Sequence, residues 1–156
     1  MTTRGAYTVK YKNESIHVYN QYDSYISGLG QNIFHFISVH RTKSMIRIFK
    51  SLMPIPEYGL VLKSYPTFNL LDFKSSANYY VPTDEKFINS VFCEFYYVID
   101  IDNKMFEIFT TKFSKNQDKQ GKLISVSFKY IRQNNVYDFY NLTDKKYILL
   151  TALHEI

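Results

Sequence analysis

The segment of residues 92–101 constrains the fold more than any other part of the chain. Its sequence, FCEFYYVIDI, is apolar on both faces of an extended strand except at Glu94 and Asp100. Strands that are covered on both sides have such nearly continuous apolar runs. The segment therefore predicts a central strand, and the residues Asp-Asn-Lys that follow at 102–104 predict a turn into a partner strand at residues 105–111.

Two further segments alternate apolar with polar residues, as half-buried strands do. Residues 5–21 predict a first hairpin that turns at Asn13 and Glu14. Residues 123–130 predict another strand, with Ile124, Val126, Phe128 and Tyr130 on one face.

Helical spacing of apolar residues appears in three places. Ile33, Phe34 and Ile37 predict a helix that starts at Gln31. Residues 42–52 predict a second helix, and residues from Thr143 onward predict a last one. Residues 57–90 contain two prolines and a polar SSAN stretch, so we expect irregular structure there.

Length and composition place these elements in one domain. A chain of 156 residues with 46% hydrophobic and 21% charged residues is expected to be globular, with a single domain at residues 1–156. We expect an α+β fold, with two antiparallel hairpins plus a further strand in a sheet packed by two to three helices. No signal peptide or membrane span is predicted, and a single cysteine, Cys93, fits the reducing cytoplasm.

Basic residues are concentrated in two runs, and the formal net charge is +5. Residues 31–56 contain no acidic residue, and three of their cations have helical spacing. Such clusters predict a surface for an anionic macromolecular partner, or else a solvated face that keeps the protein soluble. The predicted partner-binding residues are Lys43, Arg47, Lys50, Lys112, Lys115, Lys119, Lys122, Lys129 and Arg132.

Aromatic residues, 18% of the chain, alternate with basic ones at residues 111–115 and 128–140. Exposed aromatic rings beside cations are what stacking on single-stranded RNA uses, although aromatic residues on strands are also typical of a core. No RNP motif or GXXG loop accompanies them. We therefore expect an inhibitor-like interaction module rather than a catalyst, with RNA in a ribonucleoprotein or an acidic protein as its partner.

The sequence YDSYISGLG at residues 22–30, called the signature loop below, predicts an ordered loop that leads into a helix. The simplest hypothesis is structural: its glycines permit unusual backbone conformations, Asp23 or Ser24 caps local amides, and Arg4 pairs with Asp23. An alternative is an anion or small-ligand site that uses free amides and Arg4, with a pocket beneath the loop. The candidate loop residues are Tyr19, Asp23, Ser24, Tyr25, Gly28 and Gly30.

These residues also carry a family resemblance. The matching positions are Thr3, Arg4, Gly5, Tyr19, Asn20, Asp23, Ser24, Tyr25, Gly28, Leu29 and Gly30. The chain resembles a family of short, largely uncharacterised proteins that begin Met, Gly or Cys, Thr, Arg, Gly and continue to a Tyr-Asn, Asp-Ser-Tyr-Pro, Gly-Leu-Gly signature. Residues 94–109 are similar to that family's second hairpin. Thr2 stands where Gly or Cys is usual, and Ile26 replaces the proline. The resemblance implies a family and no particular activity.

An enzymatic alternative starts at Thr2. If Met1 is removed, Thr2 carries a hydroxyl beside a free α-amine, the minimal arrangement of an N-terminal nucleophile amide hydrolase. The layout is similar to the start of the choloylglycine-hydrolase branch, which implies that Asp23 orients the amine and that Arg4 or Asn20 stabilises substrate charge. The chain is shorter than that superfamily requires, and the branch's arginine before the aspartate has no match here.

Metal and thiol chemistry have weaker support. Asp100 and Asp102 could hold a divalent cation with Asn103, but the preferences of turn residues explain all three. The four histidines have no i, i+4 spacing and no nearby cysteine, so no zinc site is expected. Cys93 is expected to be a small buried hydrophobe. The sequence predicts neither a metal nor another cofactor.

Overall fold

The computed structural model describes residues 3–56, 68–71, 78–111 and 118–135. Strands β1 (Gly5–Tyr11) and β2 (Glu14–Asn20) form the first hairpin. The turn between them consists of Lys12 and Asn13, which have positive φ angles of 47° and 63°. Two consecutive positive φ angles are typical of tight hairpin turns. The turn thus lies one residue earlier than predicted, because Glu14 already belongs to β2.

The predicted central strand is confirmed as β5 (Phe95–Asp100), which lies in the middle of a five-stranded sheet. It pairs antiparallel with β6 (Met105–Thr110), which in turn pairs antiparallel with β7 (Gly121–Ser127). On its other side β5 pairs parallel with β1, so the strand order is β2-β1-β5-β6-β7. The predicted α+β fold is confirmed, and the sheet is mixed.

The register defines two ends of this sheet. At the Gly5 end, Gly5 pairs with Phe95, Phe95 with Thr110, and Thr110 with Gly121. At the Lys10 end, the paired residues are Lys10, Asp100, Met105 and Ser127. Because a strand rises about 3.3 Å per residue, the two ends lie roughly 17 Å apart.

The helices begin after a π-helical turn at Ile26–Gly30, which continues directly into α1 (Gln31–Val39). Helix α2 (Thr42–Ser51) follows, as predicted, and leads into β3 (Leu52–Pro54). The short strand β3 pairs parallel with β4 (Asn78–Tyr80).

Two short helices correct the sequence predictions. Helix α3 (Glu85–Ile88), together with β4, lies in the stretch that was predicted to be irregular. Helix α4 (Phe128–Gln133) begins where the last strand was predicted to continue. The hydroxyl of Ser127 accepts a hydrogen bond from the backbone nitrogen of Tyr130, and this cap ends β7 and starts α4.

Both faces of the sheet are covered. Helices α1 and α2 pack on the face that carries Tyr7, Tyr97 and Phe106, and this side holds the main core. On the opposite face a smaller cluster forms from Ala6, Ile88 and Cys93, with Phe87 and Tyr96 packed against it. No helix in the described ranges is long and apolar enough to cross a membrane. The helix predicted from Thr143 lies outside the described residues.

Candidate functional site

The signature loop is held together by its own hydrogen bonds. The side-chain nitrogen of Asn20 donates to the carbonyl oxygen of Tyr22 at 2.6 Å and to the hydroxyl of Ser24 at 2.8 Å. The backbone nitrogen of Leu29 donates to the carbonyl oxygen of Asp23 at 2.8 Å. Asp23 has a φ of 53°, a left-handed conformation that Asp adopts more readily than most residues. The loop is therefore a folded unit.

Three backbone amides near the end of this loop already have partners in the protein. The nitrogens of Gly28 and Gly30 both donate to the carbonyl oxygen of Tyr25, at 2.9 and 3.2 Å, and that of Leu29 is taken by Asp23. An anion site at a helix start requires amides that have no partner in the protein. The amides of Gly28, Leu29 and Gly30 are thus not available for an anion, and the hypothesis of a ligand site at this loop stays a prediction.

Gly28 and Gly30 are required by close packing. A Cβ atom at Gly28 would lie 2.3 Å from the carbonyl oxygen of Asp23, and one at Gly30 would lie 3.1 Å from the ring of Tyr97. No described glycine has a positive φ. The signature glycines thus leave room for neighbouring atoms, whereas the sequence had predicted that they adopt special backbone angles.

Tyr97 joins the loop to the central strand. Its hydroxyl donates to the carbonyl oxygen of Ser24 at 2.7 Å, and the whole side chain is buried. Burial raises the pKa of Tyr97 well above its usual value, so the hydroxyl stays protonated and can donate. Sequence patterns predict Tyr97 only as an apolar core residue, because its partner lies 73 positions earlier in the chain.

The predicted ion pair between Arg4 and Asp23 does not form. The guanidinium carbon of Arg4 lies 5.1 Å from the centroid of the exposed ring of Phe92, a cation–π contact. Among the described residues, the ion pair found is that between Lys122 and Glu107. Arg4 therefore contacts the segment before β5, and the loop keeps its shape without a salt bridge.

The residues of the hydrolase hypothesis are only partly described. Thr2 lies outside the described residues, and the carbonyl oxygen of the adjacent, buried Thr3 accepts a hydrogen bond of 3.3 Å from the nitrogen of Ser24. Ser24, the neighbour of Asp23, is therefore in contact with Thr3, the residue that follows Thr2. The side-chain nitrogen of Asn20, one of the groups offered to substrate, already donates twice within the loop. The hydrolase stays a prediction, and an intact-mass measurement that finds Met1 retained would exclude it.

The thiol of Cys93 and the hydroxyl of Thr8 are poorly suited to act as nucleophiles. Burial raises the pKa of the Cys93 thiol to about 12, so the reactive thiolate is scarce at neutral pH. A hydrogen-bonded chain that sequence patterns did not predict links Tyr96, Thr8 and His17 across three strands. Thr8, its central member, is only 2% exposed and cannot reach a substrate.

Asp100 and Asp102 are occupied by turn contacts. The carboxylate of Asp100 accepts hydrogen bonds from the backbone and side-chain nitrogens of Asn103, at 3.1 and 2.9 Å. The carboxylate of Asp102 accepts a bond of 2.8 Å from the backbone nitrogen of Lys12, which joins the two hairpin turns. In the described part of the chain, no group of three or more metal-ligating side chains occurs.

Lys43, Arg47 and Lys50 form an exposed stripe on α2, called the α2 basic face below. The other side of the helix is buried through Met45 and Phe49. None of the three cations makes an ion pair with a described residue. Packing of the apolar side thus fixes the direction in which the basic side points.

The second basic run does not form one surface. Lys119 and Lys122 lie at the Gly5 end of the sheet, and Lys129 follows β7 at the opposite, Lys10 end. Lys122 is paired with Glu107 at 2.6 Å. Lys112 and Lys115 lie outside the described residues.

Arg132 has a structural role that its charge alone does not indicate. Its guanidinium donates to the carbonyl oxygens of Ile37 and His40 at the end of α1, at 3.3 and 3.0 Å. Partial burial lowers the pKa of this guanidinium. Arg132 therefore caps α1 and binds α4 to it, although the residue is exposed.

The aromatic and basic segment at residues 128–140 is described only in its first part. Phe128 is 1% exposed and Tyr130 packs against the core, both as residues of α4. The part of this segment that is described thus contributes its rings to the core. The remaining aromatic residues of the segment lie outside the described ranges.

The described residues border a cleft of about 340 Å³ between β2, the start of α1 and the segments that flank β4. Its described lining residues are Tyr7, Val18, Tyr19, Asn20, Leu29, Asn32, Phe68, Asn69, Leu70, Tyr80 and Val81. The cleft lies next to the end of the signature loop, which is the place where the sequence predicted a pocket. All of these side chains are uncharged.

No protein-family model, no curated protein and no solved structure matches this chain. The resemblance to the family with the Gly-Leu-Gly signature therefore stays a prediction.

Proposed function

We propose that this protein is a cytoplasmic interaction module that binds an acidic protein through the α2 basic face. The observation that carries the proposal is the exposure of Lys43, Arg47 and Lys50 without ion-pair partners among the described residues. Residues 31–56 contain no acidic residue that could neutralise them. An anionic partner is the simplest source of negative charges that would pair with these three cations.

The spacing of the cations favours one continuous contact. They lie at intervals of four and three residues, so the stripe is roughly 10 Å long at 1.5 Å per residue. Exposed apolar side chains flank the helix, Val39 before it and Met53 after it. A partner that pairs with the cations could also cover these two side chains, and apolar contacts beside charged ones are typical of protein interfaces.

The position of the exposed aromatic side chains favours an acidic protein over single-stranded RNA. Among the described residues, the large exposed aromatic residues are Tyr22, Tyr25 and Phe92, which adjoin the Gly5 end of the sheet. Helix α2 lies at the Lys10 end, where the ring of Phe49 packs 5.9 Å from that of Tyr11. None of these three exposed rings, on which bases could stack, is therefore near the α2 basic face.

A matched pair of charge reversals tests the proposal. Arg47→Glu reverses a charge on the α2 basic face, and Lys86→Glu makes the same change in net charge on α3. Fluorescence anisotropy would measure binding to labelled polyglutamate and to labelled polyuridylate. We expect Arg47→Glu to weaken polyglutamate binding about tenfold, since it replaces an attraction of roughly 0.2–1 kcal/mol by a repulsion of similar size. Lys86→Glu should have little effect.

Salt provides the second measurement. Binding through the α2 basic face should weaken steeply between about 0.05 and 0.2 M NaCl, because the screening length falls below the length of the stripe. Equal loss of affinity in the two variants, or binding that does not depend on salt, would contradict the proposal. Tighter binding of polyuridylate than of polyglutamate would identify RNA as the partner and would refute the choice of an acidic protein.

A further inference from the structure

The cleft beside β2 contains a buried hydroxyl group that the protein leaves without a partner. Tyr7 lines the cleft and is 5% exposed, and its hydroxyl makes no hydrogen bond to the protein. Among the described side chains, Oε1 of Gln120 is the polar atom that has neither contact with solvent nor a hydrogen-bond partner, and the hydroxyl of Tyr7 does not belong to this class. The hydroxyl of Tyr7 is therefore not sealed, and the opening available to it is the cleft.

An unpaired hydroxyl at this depth is unusual. Its neighbour in the parallel register, Tyr97, uses its hydroxyl to bind the signature loop. Buried polar groups normally bond to the protein or to ordered water, so the partner of this hydroxyl, water or a bound molecule, lies in the cleft. Burial raises the pKa of Tyr7, so this hydroxyl stays protonated at neutral pH and can both donate and accept.

Two other lining groups have spare hydrogen-bonding capacity. The side-chain amide of Asn32, in the first turn of α1, and the hydroxyl of Tyr80 make no hydrogen bond to the protein. Burial raises the pKa of Tyr80 as well, so it too is neutral. Together with Tyr7, these residues line one space and carry an amide and two hydroxyls that make no hydrogen bond to the protein.

The remaining walls are apolar or uncharged. Val18, Leu29, Phe68 and Leu70 contribute hydrocarbon surface. The described lining includes no Lys, Arg, His, Asp or Glu. The described lining therefore offers no counter-charge to a phosphate or carboxylate group, and burying such a group against it has a high desolvation cost. The volume of about 340 Å³ is at the lower end of the range for small-molecule sites.

We propose that this cleft is a binding site for an uncharged nucleoside or its free base. A planar heterocycle has apolar faces, which suit the walls, and hydrogen-bond donors and acceptors at its edge, which suit Asn32 and the two hydroxyls. Asparagine amides pair with the edges of bases in many complexes, and aromatic rings stack on their faces. The site is distinct from the α2 basic face, so it adds a small-molecule ligand to the proposed interaction module.

Isothermal titration of the full chain with adenosine, uridine, AMP, UMP and glucose tests this inference. We expect millimolar or tighter binding of at least one of the two nucleosides, weaker binding of its monophosphate, and none of glucose. Tyr7→Phe and Asn32→Ala should each weaken nucleoside binding roughly tenfold or less, the usual effect of one hydrogen bond. Tyr22→Phe removes an exposed hydroxyl outside the cleft and should change nothing.

Several results would overturn the inference. It fails if neither nucleoside binds the folded protein, if a monophosphate binds as tightly as its nucleoside, or if glucose binds in their place. It also fails if Tyr7→Phe and Asn32→Ala bind a nucleoside as tightly as the unmodified chain. Circular dichroism of each variant shows whether the fold is kept. Charge reversal at Arg47 should leave nucleoside binding unchanged, which separates this result from that of the proposed function.

Discussion

Two buried tyrosines that are neighbours in the sheet should respond differently to the loss of their hydroxyls. Tyr97→Phe removes the donor to the carbonyl oxygen of Ser24, which then stays buried without that partner. Such a loss costs about 1–3 kcal/mol, a large share of the roughly 5–15 kcal/mol that stabilises a typical domain. Tyr7→Phe removes a hydroxyl that has no partner in the protein, so it should cost close to nothing.

Urea denaturation followed by circular dichroism measures both changes in the free energy of unfolding. We expect the midpoint of Tyr97→Phe to fall clearly, with the slope unchanged, and the midpoint of Tyr7→Phe to stay near that of the unmodified protein. In thermal unfolding, the same loss corresponds to roughly 2–4 °C per kcal/mol in a domain of this size. Both substitutions remove one oxygen from a buried ring and leave the ring itself in place. A difference between the two variants therefore reports on the hydrogen bond and not on the packing of the ring.

The dependence on pH gives an independent measurement. The folded state raises the pKa of Tyr97, so its ionisation favours unfolding once the pH exceeds the unfolded value near 10. Stability from this group is complete below that pH and is lost as the pH rises above it, by about 1.4 kcal/mol per pH unit. The deficit of Tyr97→Phe should therefore shrink above pH 10. Equal destabilisation by the two substitutions at pH 7, or a deficit that grows in alkali, would refute the reasoning.

Two further substitutions test contacts that the structure assigns. Gly28→Ala places a Cβ 2.3 Å from a backbone oxygen and should destabilise the fold by about 1–3 kcal/mol, whereas Gly121→Ala, whose nearest atom is 4.0 Å away, should be nearly neutral in the same urea assay. Arg132→Ala removes the donors to the end of α1 and should cost about 1 kcal/mol, against less than about 0.5 kcal/mol for the exposed Lys129→Ala. Similar costs within either pair would show that the assigned contact does not carry the effect.

Local sequence patterns predicted a strand or helix correctly where the residues of that element alone carry its pattern. The apolar run before Asp100 predicted a central strand, and helical spacing predicted α1 and α2. The prediction was wrong at Phe128, where alternation continues in the sequence but Ser127 caps a helix. The alternation by itself favours a strand. The Ser127 cap starts α4 at this boundary, and the apolar pattern does not indicate the cap.

The candidate sites also differ in whether neighbouring residues or distant contacts form them. The α2 basic face was predicted because its cations and its apolar side share one helical period. The role of Arg132 was not predicted, since its partners Ile37 and His40 are more than 90 residues away along the chain. The signature loop was recognised as an ordered unit, but its glycines act by packing.

By itself, the amino-acid sequence predicted the first hairpin, the central strand with its partner strand, helices α1 and α2, and a basic stripe that faces away from the core. It did not predict β3, β4 or α3, and it predicted a strand where α4 begins. The predicted features depend on residues a few positions apart, and such residues interact in the same way wherever the element is placed. Only the tertiary structure decided that β1 lies parallel to β5 and that Tyr97 is paired while Tyr7 lines a cleft. It also decided that Arg132 is hydrogen-bonded to the end of α1, whereas the α2 basic face has no ion-pair partner among the described residues. Those outcomes depend on contacts between distant segments, which form only when the whole sheet and its helices are assembled.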